Sequence, residues 1–164
     1  MKILYYGGQK SGKSKLAEAK TIELSKNKKP YYIATYDNSY GDEEMQNRVL
    51  KHQNQRAGKF ETIEEKYKLS KVIEEENTYL IDCISMWLLN GLEKEEEKLL
   101  EEIEKLASIN ANIVFVLNDV SSGVIPFEKV SRKYVDISGI IGQKLASICD
   151  EVYEVKLGLT IKLK

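Results

Sequence analysis

Residues 7–14 read Gly7-Gly8-Gln9-Lys10-Ser11-Gly12-Lys13-Ser14 and satisfy G-x-x-x-x-G-K-[ST] at every specified position. An apolar run, Ile3-Leu4-Tyr5-Tyr6, precedes the motif, and residues 15–26 follow it with helical character and no proline. A strand, a glycine-rich loop and a helix in that order are the context in which this spelling wraps phosphates. Glycines let the backbone approach an anion closely, and the N–H groups opening the helix point at it. In such a loop Lys13 reaches the β- and γ-phosphates and the Ser14 hydroxyl holds Mg²⁺. The bland alternative is a glycine-rich turn that merely starts a helix, and the complete motif in its expected context weighs against it. The reading is a nucleotide-binding chain, with GTP or ATP as the nucleotide.

Further strand-like runs occupy residues 31–35, 78–82, 113–117 and 151–156, separated by segments of helical length. Strands alternating with helices indicate crossover units, a mainly parallel sheet and helices on both faces. Tyr79-Leu80-Ile81 and Ile113-Val114-Phe115-Val116-Leu117 are nearly continuous apolar runs, as central parallel strands require. After Gly158, residues 159–163 alternate as an edge strand would, hairpinned to the run before. The segment 92–107 carries Leu92, Leu99, Leu100, Ile103, Leu106 and Ala107 at helical spacing, with Glu and Lys between them. That pattern predicts an amphipathic helix with a solvated acidic face. No repeat, linker or boundary interrupts the pattern, so residues 1–164 read as one domain.

Composition removes several classes of function. A net charge of −1 offers no footprint for a nucleic acid or an anionic membrane. No apolar run approaches the roughly 20 residues needed to cross a bilayer. Met1-Lys2 leads directly into the first strand, which leaves no room for a signal peptide and predicts a cytoplasmic protein. Cys83 and Cys149 show no C-x-x-C spacing, so reduced thiols are expected rather than a disulfide or a zinc site.

Chemistry beyond the loop is sought in two places. Asp82 ends a central strand, where a carboxylate holds Mg²⁺ directly or through water in phosphate-loop enzymes. Residues 42–56 read as an unusually polar helix whose apolar positions are only Met45, Val49 and Leu50. On such a helix Arg48, His52 and Arg56 stand four apart and share one face. Two guanidiniums flanking an imidazole make an anion-binding stripe with a nucleophile in its centre. His52 is the only histidine of the chain. From the residues alone, a surface histidine in a polar helix is the commoner reading.

Longer motifs carry a resemblance along nearly the whole chain. They are the loop at residues 7–14, Ile33-Ala34-Thr35, and the pattern E-M-x-x-R-V-x-x-H-x-x-x-R over residues 44–56. Thr62-x-Glu64, Asp82-Cys83-Ile84-Ser85-x-Trp87-Leu88-x-Asn90, residues 118–126 and residues 132–146 complete them. The chain resembles the bifunctional adenosylcobinamide kinase/adenosylcobinamide-phosphate guanylyltransferase family of cobalamin biosynthesis. The resemblance implies a RecA-like, three-layer phosphate-loop fold assembled into a homotrimer. It also implies two activities: phosphorylation of the adenosylcobinamide hydroxyl, then transfer of GMP from GTP to that phosphate. His52 matches the histidine that becomes guanylylated, with Arg48 and Lys13 as further catalytic positions. Nucleotide contacts are implied at Thr35, Tyr36, Asp37, Gln53, Asn54, Gln55, Arg56, Glu64 and Asp82, beside the loop itself.

The chain departs from the family pattern in its C-terminal half. Asn118-Asp119-Val120-Ser121 stands where N-E-V-G is common, and Tyr134-Val135-Asp136 stands where F-R-D is usual. Gly142 replaces an asparagine, Phe60 a tryptophan and Thr160 a proline. Two other readings therefore stay open at this point: a phosphate-loop kinase for a different small molecule, and a nucleotide-binding paralogue without chemistry.

Overall fold

A computed structural model describes residues 1–37 and 58–164. Its strands are β1 (Lys2–Gly7), β2 (Tyr31–Ala34), β3 (Glu61–Glu64), β4 (Thr78–Asp82), β5 (Asn112–Asn118), β6 (Glu151–Lys156) and β7 (Leu159–Lys162). They form one sheet in the order β3-β2-β4-β5-β1-β6-β7. Every neighbouring pair is parallel except β6 and β7, which form an antiparallel hairpin. The helices are α1 (Lys13–Ser25), α2 (Ile84–Asn90), α3 (Glu96–Ser108) and α4 (Lys129–Ile148).

The two-residue period of the strands sorts their side chains into two cores. Leu4, Ile33, Tyr79, Ile81, Ile113, Phe115 and Leu117 face one side and pack with Trp87 and Leu88 of α2, Leu99 and Ile103 of α3, and Ile141 and Leu145 of α4. Ile3, Tyr5, Tyr32, Leu80, Val114 and Val116 face the other, against Ala17, Leu16 and Leu24 of α1. The expected three layers follow from this division. α1 meets the sheet through a narrow stripe of Lys13, Ala17, Thr21 and Ser25, which lets it lie close over β5, β4 and β1. The Thr21 hydroxyl donates back to the Ala17 carbonyl at 2.7 Å, so its burial leaves no unmet donor.

Two expectations are refined. The amphipathic helix expected from Leu92 onward starts at Glu96, because α2 ends at Asn90 and a turn through Gly91 intervenes. β3 is an additional parallel edge strand with only Ile63 partly covered, so it lacks the apolar alternation by which a strand is read. The polar helix expected over residues 42–56 lies outside the described residues, and with it Arg48, His52, Gln53, Asn54, Gln55 and Arg56.

Parallel pairing sets the C-terminal strand ends in one row. Glu64, Ala34, Asp82 and Val116 are neighbours across β3, β2, β4 and β5, while Gly7 pairs with Asn118 on one side and Val155 on the other. Gly7 is required there for close approach: a Cβ at this position would stand 2.3 Å from the Val155 carbonyl oxygen. Gly7→Ala is expected to destabilise the fold by about 2 kcal/mol, the scale of an overpacked site, read as a lower urea midpoint.

Candidate active site

The loop after β1 is shaped by its own backbone. Lys10 and Gly12 adopt positive φ (56° and 98°), and the Ser11 N–H donates to the Gly8 carbonyl at 3.2 Å. Successive left- and right-handed residues turn N–H groups toward one concavity, an anion-binding nest. Gly12 caps α1 with no side-chain hydrogen bond, so the first helical donors remain for a ligand. The buried Ser11 hydroxyl has no partner among the described residues. An orphaned buried donor at the centre of such a loop is a group awaiting an acceptor. Gln9 and Lys10 are exposed at the rim.

Lys13 is buried, and its ammonium donates to the Gly8 carbonyl at 2.9 Å, folded back over the loop. Burial lowers its pKa from the ordinary lysine value, opposed by the neighbouring Cys83 and Asp82. A desolvated ammonium is a strong attractor for phosphate oxygens. Ser14 Oγ lies 3.4 Å from Asp82 Oδ1, reaching across the intervening strand β5. A hydroxyl and a carboxylate converging in this way supply the hard oxygen donors that suit Mg²⁺. Among the described residues no cluster of three His, Cys, Asp or Glu side chains could cage a metal.

Beyond Asp82 the chain passes through a cis peptide to Cys83 and enters α2. Burial, followed by the Asp82 charge, pushes the Cys83 thiol up to about 12, and burial does the same for Cys149. Neither is a thiolate at neutral pH, so neither is armed as a nucleophile. Iodoacetamide at pH 7.5 is expected to leave both unmodified in the native protein and to modify both in denaturant, read by mass spectrometry.

The segment leaving β2 is held by protein partners. The Thr35 hydroxyl donates to the Cys83 carbonyl at 2.8 Å, and Asn90 Nδ2 donates to the Thr35 carbonyl at 2.7 Å and the Lys66 carbonyl at 3.2 Å. Asp37 is buried, ion-paired to Lys66 at 2.7 Å, and accepts from the Tyr67 hydroxyl at 3.3 Å. Trp87 Nε1 donates to the Tyr67 carbonyl at 3.1 Å. Thr35 and Asp37, expected as nucleotide contacts, thus turn their side chains toward the scaffold, while Tyr36 is half-buried between them. Glu64 is exposed at the end of β3, two strands from Asp82 along the same edge. Sequence reasoning did not single out Asn90, Lys66 and Tyr67 as the clasp on this segment. Only the Asp82-to-Asn90 motif pointed toward it.

The divergent residues 118–122 make an ordered turn. The Asp119 N–H donates to the Gly7 carbonyl at 2.9 Å, and Asp119 Oδ1 accepts from the Ser121 and Ser122 N–H groups, each at 3.1 Å. Burial works against its carboxylate, but the Ser122 hydroxyl, Tyr6 and those backbone donors outweigh it and hold the pKa down to about 2. Ser121 is absent from the positive-φ positions, so this turn does not need the glycine common there.

Residues 3–163 match the profile described as cobinamide kinase / cobinamide phosphate guanyltransferase. The chain belongs to that family. It is 35% identical over 176 residues to the bifunctional adenosylcobalamin biosynthesis protein CobP of Pseudomonas aeruginosa, covering all of this chain and 98% of the relative. The bifunctional adenosylcobalamin biosynthesis protein CobU of Escherichia coli is 30% identical, with both chains covered in full. Among solved structures, the flagellar accessory protein FlaH from Methanocaldococcus jannaschii superimposes with a TM-score of 0.53 at 16% identity, over 99% of this chain and 77% of its own. A Pyrococcus horikoshii protein does so with 0.54 at 12% identity, over 99% and 85%. The two solved structures share the fold of this chain, and family membership makes the chain a transferase. No helix among the described residues is long and apolar enough to cross a membrane.

Proposed function

We propose that this chain phosphorylates the hydroxyl of adenosylcobinamide and then joins GMP to the new phosphate, with His52 as covalent relay. The observation that carries the reading is the convergence of Lys13, Ser14 and Asp82 on one phosphate loop, in a chain matched to the family over residues 3–163.

In the first step the loop N–H groups and Lys13 bind the β- and γ-phosphates, and Ser14 and Asp82 would hold Mg²⁺, whose chemistry there would be to neutralise charge on the phosphate oxygens. The protein's contribution is position and electrostatics, as phosphoryl transfer demands. In the second step a neutral His52 nitrogen attacks the α-phosphorus of GTP. A P–N bond forms and pyrophosphate leaves. A phosphate oxygen of adenosylcobinamide phosphate then attacks that phosphorus, the P–N bond breaks, and adenosylcobinamide-GDP is released. Arg48 and Arg56 balance the charge on the phosphoryl oxygens, and Gln53, Asn54, Gln55 and Glu64 supply nucleotide contacts. Splitting the transfer in two lets each half displace one good leaving group. Residues 1–164 act as one domain, in a cytoplasmic homotrimer.

The test supplies purified protein with adenosylcobinamide, Mg²⁺, and ATP or GTP, and follows corrinoid products by mass spectrometry. Adenosylcobinamide phosphate followed by adenosylcobinamide-GDP, both lost on chelation, is the expected result. Phosphate transfer without the GDP product would leave only a kinase, and no product would leave a nucleotide-binding paralogue.

A further inference from the structure

Strand β5 lies between β1, which delivers the phosphate loop, and β4, which delivers Asp82. Ser14 Oγ and Asp82 Oδ1 meet across it, so a group held between the loop and Asp82 stands over the end of β5. Asp82 pairs with Val116 and Gly7 with Asn118. β5 therefore runs two residues, or about 7 Å, past the end of β4. There the Asn118 N–H donates to the Ser85 hydroxyl at 2.9 Å, in place of a β4 partner. That bond fixes the strand end, where two polar residues follow one another, Asn118 and Asp119.

The two-residue period gives them opposite faces. Val114 and Val116 belong to the core beneath α1, so Asn118 continues the face that carries the loop and α1. Leu117 belongs to the other core, and Asp119 continues that side, where its carboxylate is bound by Tyr6. Asn118 is half-buried, and its carboxamide makes no hydrogen bond to the described residues. It ends the strand level with Gly7, one strand from the loop and one strand from Asp82.

We infer that Asn118 is a further catalytic residue of the phosphoryl-transfer step: its Nδ2 donates a hydrogen bond to an oxygen of the terminal phosphate held by the loop. The inference rests on the reading of residues 7–14 as the phosphate site of a kinase. In such a loop the lysine reaches the β- and γ-phosphates, and the ion that Ser14 and Asp82 would hold bridges the same two groups. The terminal phosphate is thereby confined to the space over β5. In the transfer the acceptor hydroxyl oxygen bonds to the γ-phosphorus and the bond to the β,γ-bridging oxygen breaks. The nucleoside diphosphate leaves with that electron pair, and the hydroxyl proton passes to water. A carboxamide held by a strand end is a donor already aimed at the oxygens of the moving group, and it needs no reorganisation. An aspartate of the same shape would turn an anion toward them.

The test uses Asn118→Ala, which removes the donor, and Asn118→Asp, which keeps the shape and replaces the donor by an anion. Binding is measured by calorimetry with Mg²⁺ and two probe types: the β,γ-methylene analogues of ATP and GTP, and ADP and GDP, which lack the terminal phosphate. For the better-bound nucleoside, both variants are expected to lose about tenfold in affinity for the analogue and to stay within about twofold of wild type for the diphosphate. Phosphorylation of adenosylcobinamide should fall about 10²-fold in kcat, the scale of one donor to a developing anion, with KM for adenosylcobinamide changed only a few-fold. Unchanged analogue affinity in both variants would overturn the inference. Equal weakening of analogue and diphosphate would overturn it too, since Asn118 would then act on the shape of the strand end. Wild-type protein that binds the analogue yet forms no corrinoid phosphate would overturn the proposed acceptor, a separate result, because the binding comparison uses no acceptor.

Discussion

Replacing His52 by alanine is expected to remove protein-bound GMP altogether and to cut adenosylcobinamide-GDP formation by on the order of 10³-fold or more, the scale of losing a covalent nucleophile. Phosphorylation of adenosylcobinamide should continue within a few-fold of the wild-type rate. On the proposed mechanism both steps draw on the loop with Lys13, and only the second would form a bond to imidazole, so the substitution separates them. The measurement uses GTP labelled at the α-phosphate with Mg²⁺, beside the variant. Label that resists alkali, is released by acid and is absent from His52→Ala identifies a P–N bond. Equal loss of both activities would contradict the relay, because a merely structural role for His52 would not distinguish them.

Lys13→Ala is expected to produce the complementary pattern, in which both activities fall. Lys13 is buried and held to the Gly8 carbonyl, so the loop carries a preorganised cation already stripped of water. Such a charge is worth more to a phosphoryl oxygen than one that must desolvate on binding, and its removal costs about 3–4 kcal/mol, or 10²–10³-fold in kcat/KM. The substitution also leaves the Gly8 carbonyl without its donor. On the proposed mechanism GMP transfer would share the loss, since the leaving pyrophosphate of GTP would occupy the same loop. Lys13→Arg should not rescue it, because a planar fork does not replace a compact ammonium inside a close-fitting nest. The check is initial-rate measurement of both steps. A kinase rate within a few-fold of wild type in Lys13→Ala would remove the loop from the mechanism.

How much of this was legible beforehand depends on whether the information is local. β1, β4 and β5 announced themselves as apolar runs because central parallel strands are covered on both faces. β3 did not, because an edge strand with one half-covered residue has no pattern to betray it. Thr35 and Asp37 entered as nucleotide contacts only through the family resemblance. What the residues did not reveal is that their side chains tie that segment to Cys83 and Lys66, partners 48 and 29 residues away in the chain. Asp119 and Ser121 read as departures from a family pattern. The structure explains the change, since Asp119 accepts from the two serines after it and Ser121 keeps an ordinary φ.

The sequence by itself determined the phosphate loop, the alternation of strands and helices, and the membership that brings His52 into view. Each is written in residues that are neighbours in the chain or recur at the period of a single element. Tertiary structure alone decided that Asp82 would meet Ser14 across β5, and that Asn118 would end β5 on the face of the loop. The reason is physical: strand order follows from how two buried faces and their helices pack together. No local preference of Asp82 or Asn118 contains that information.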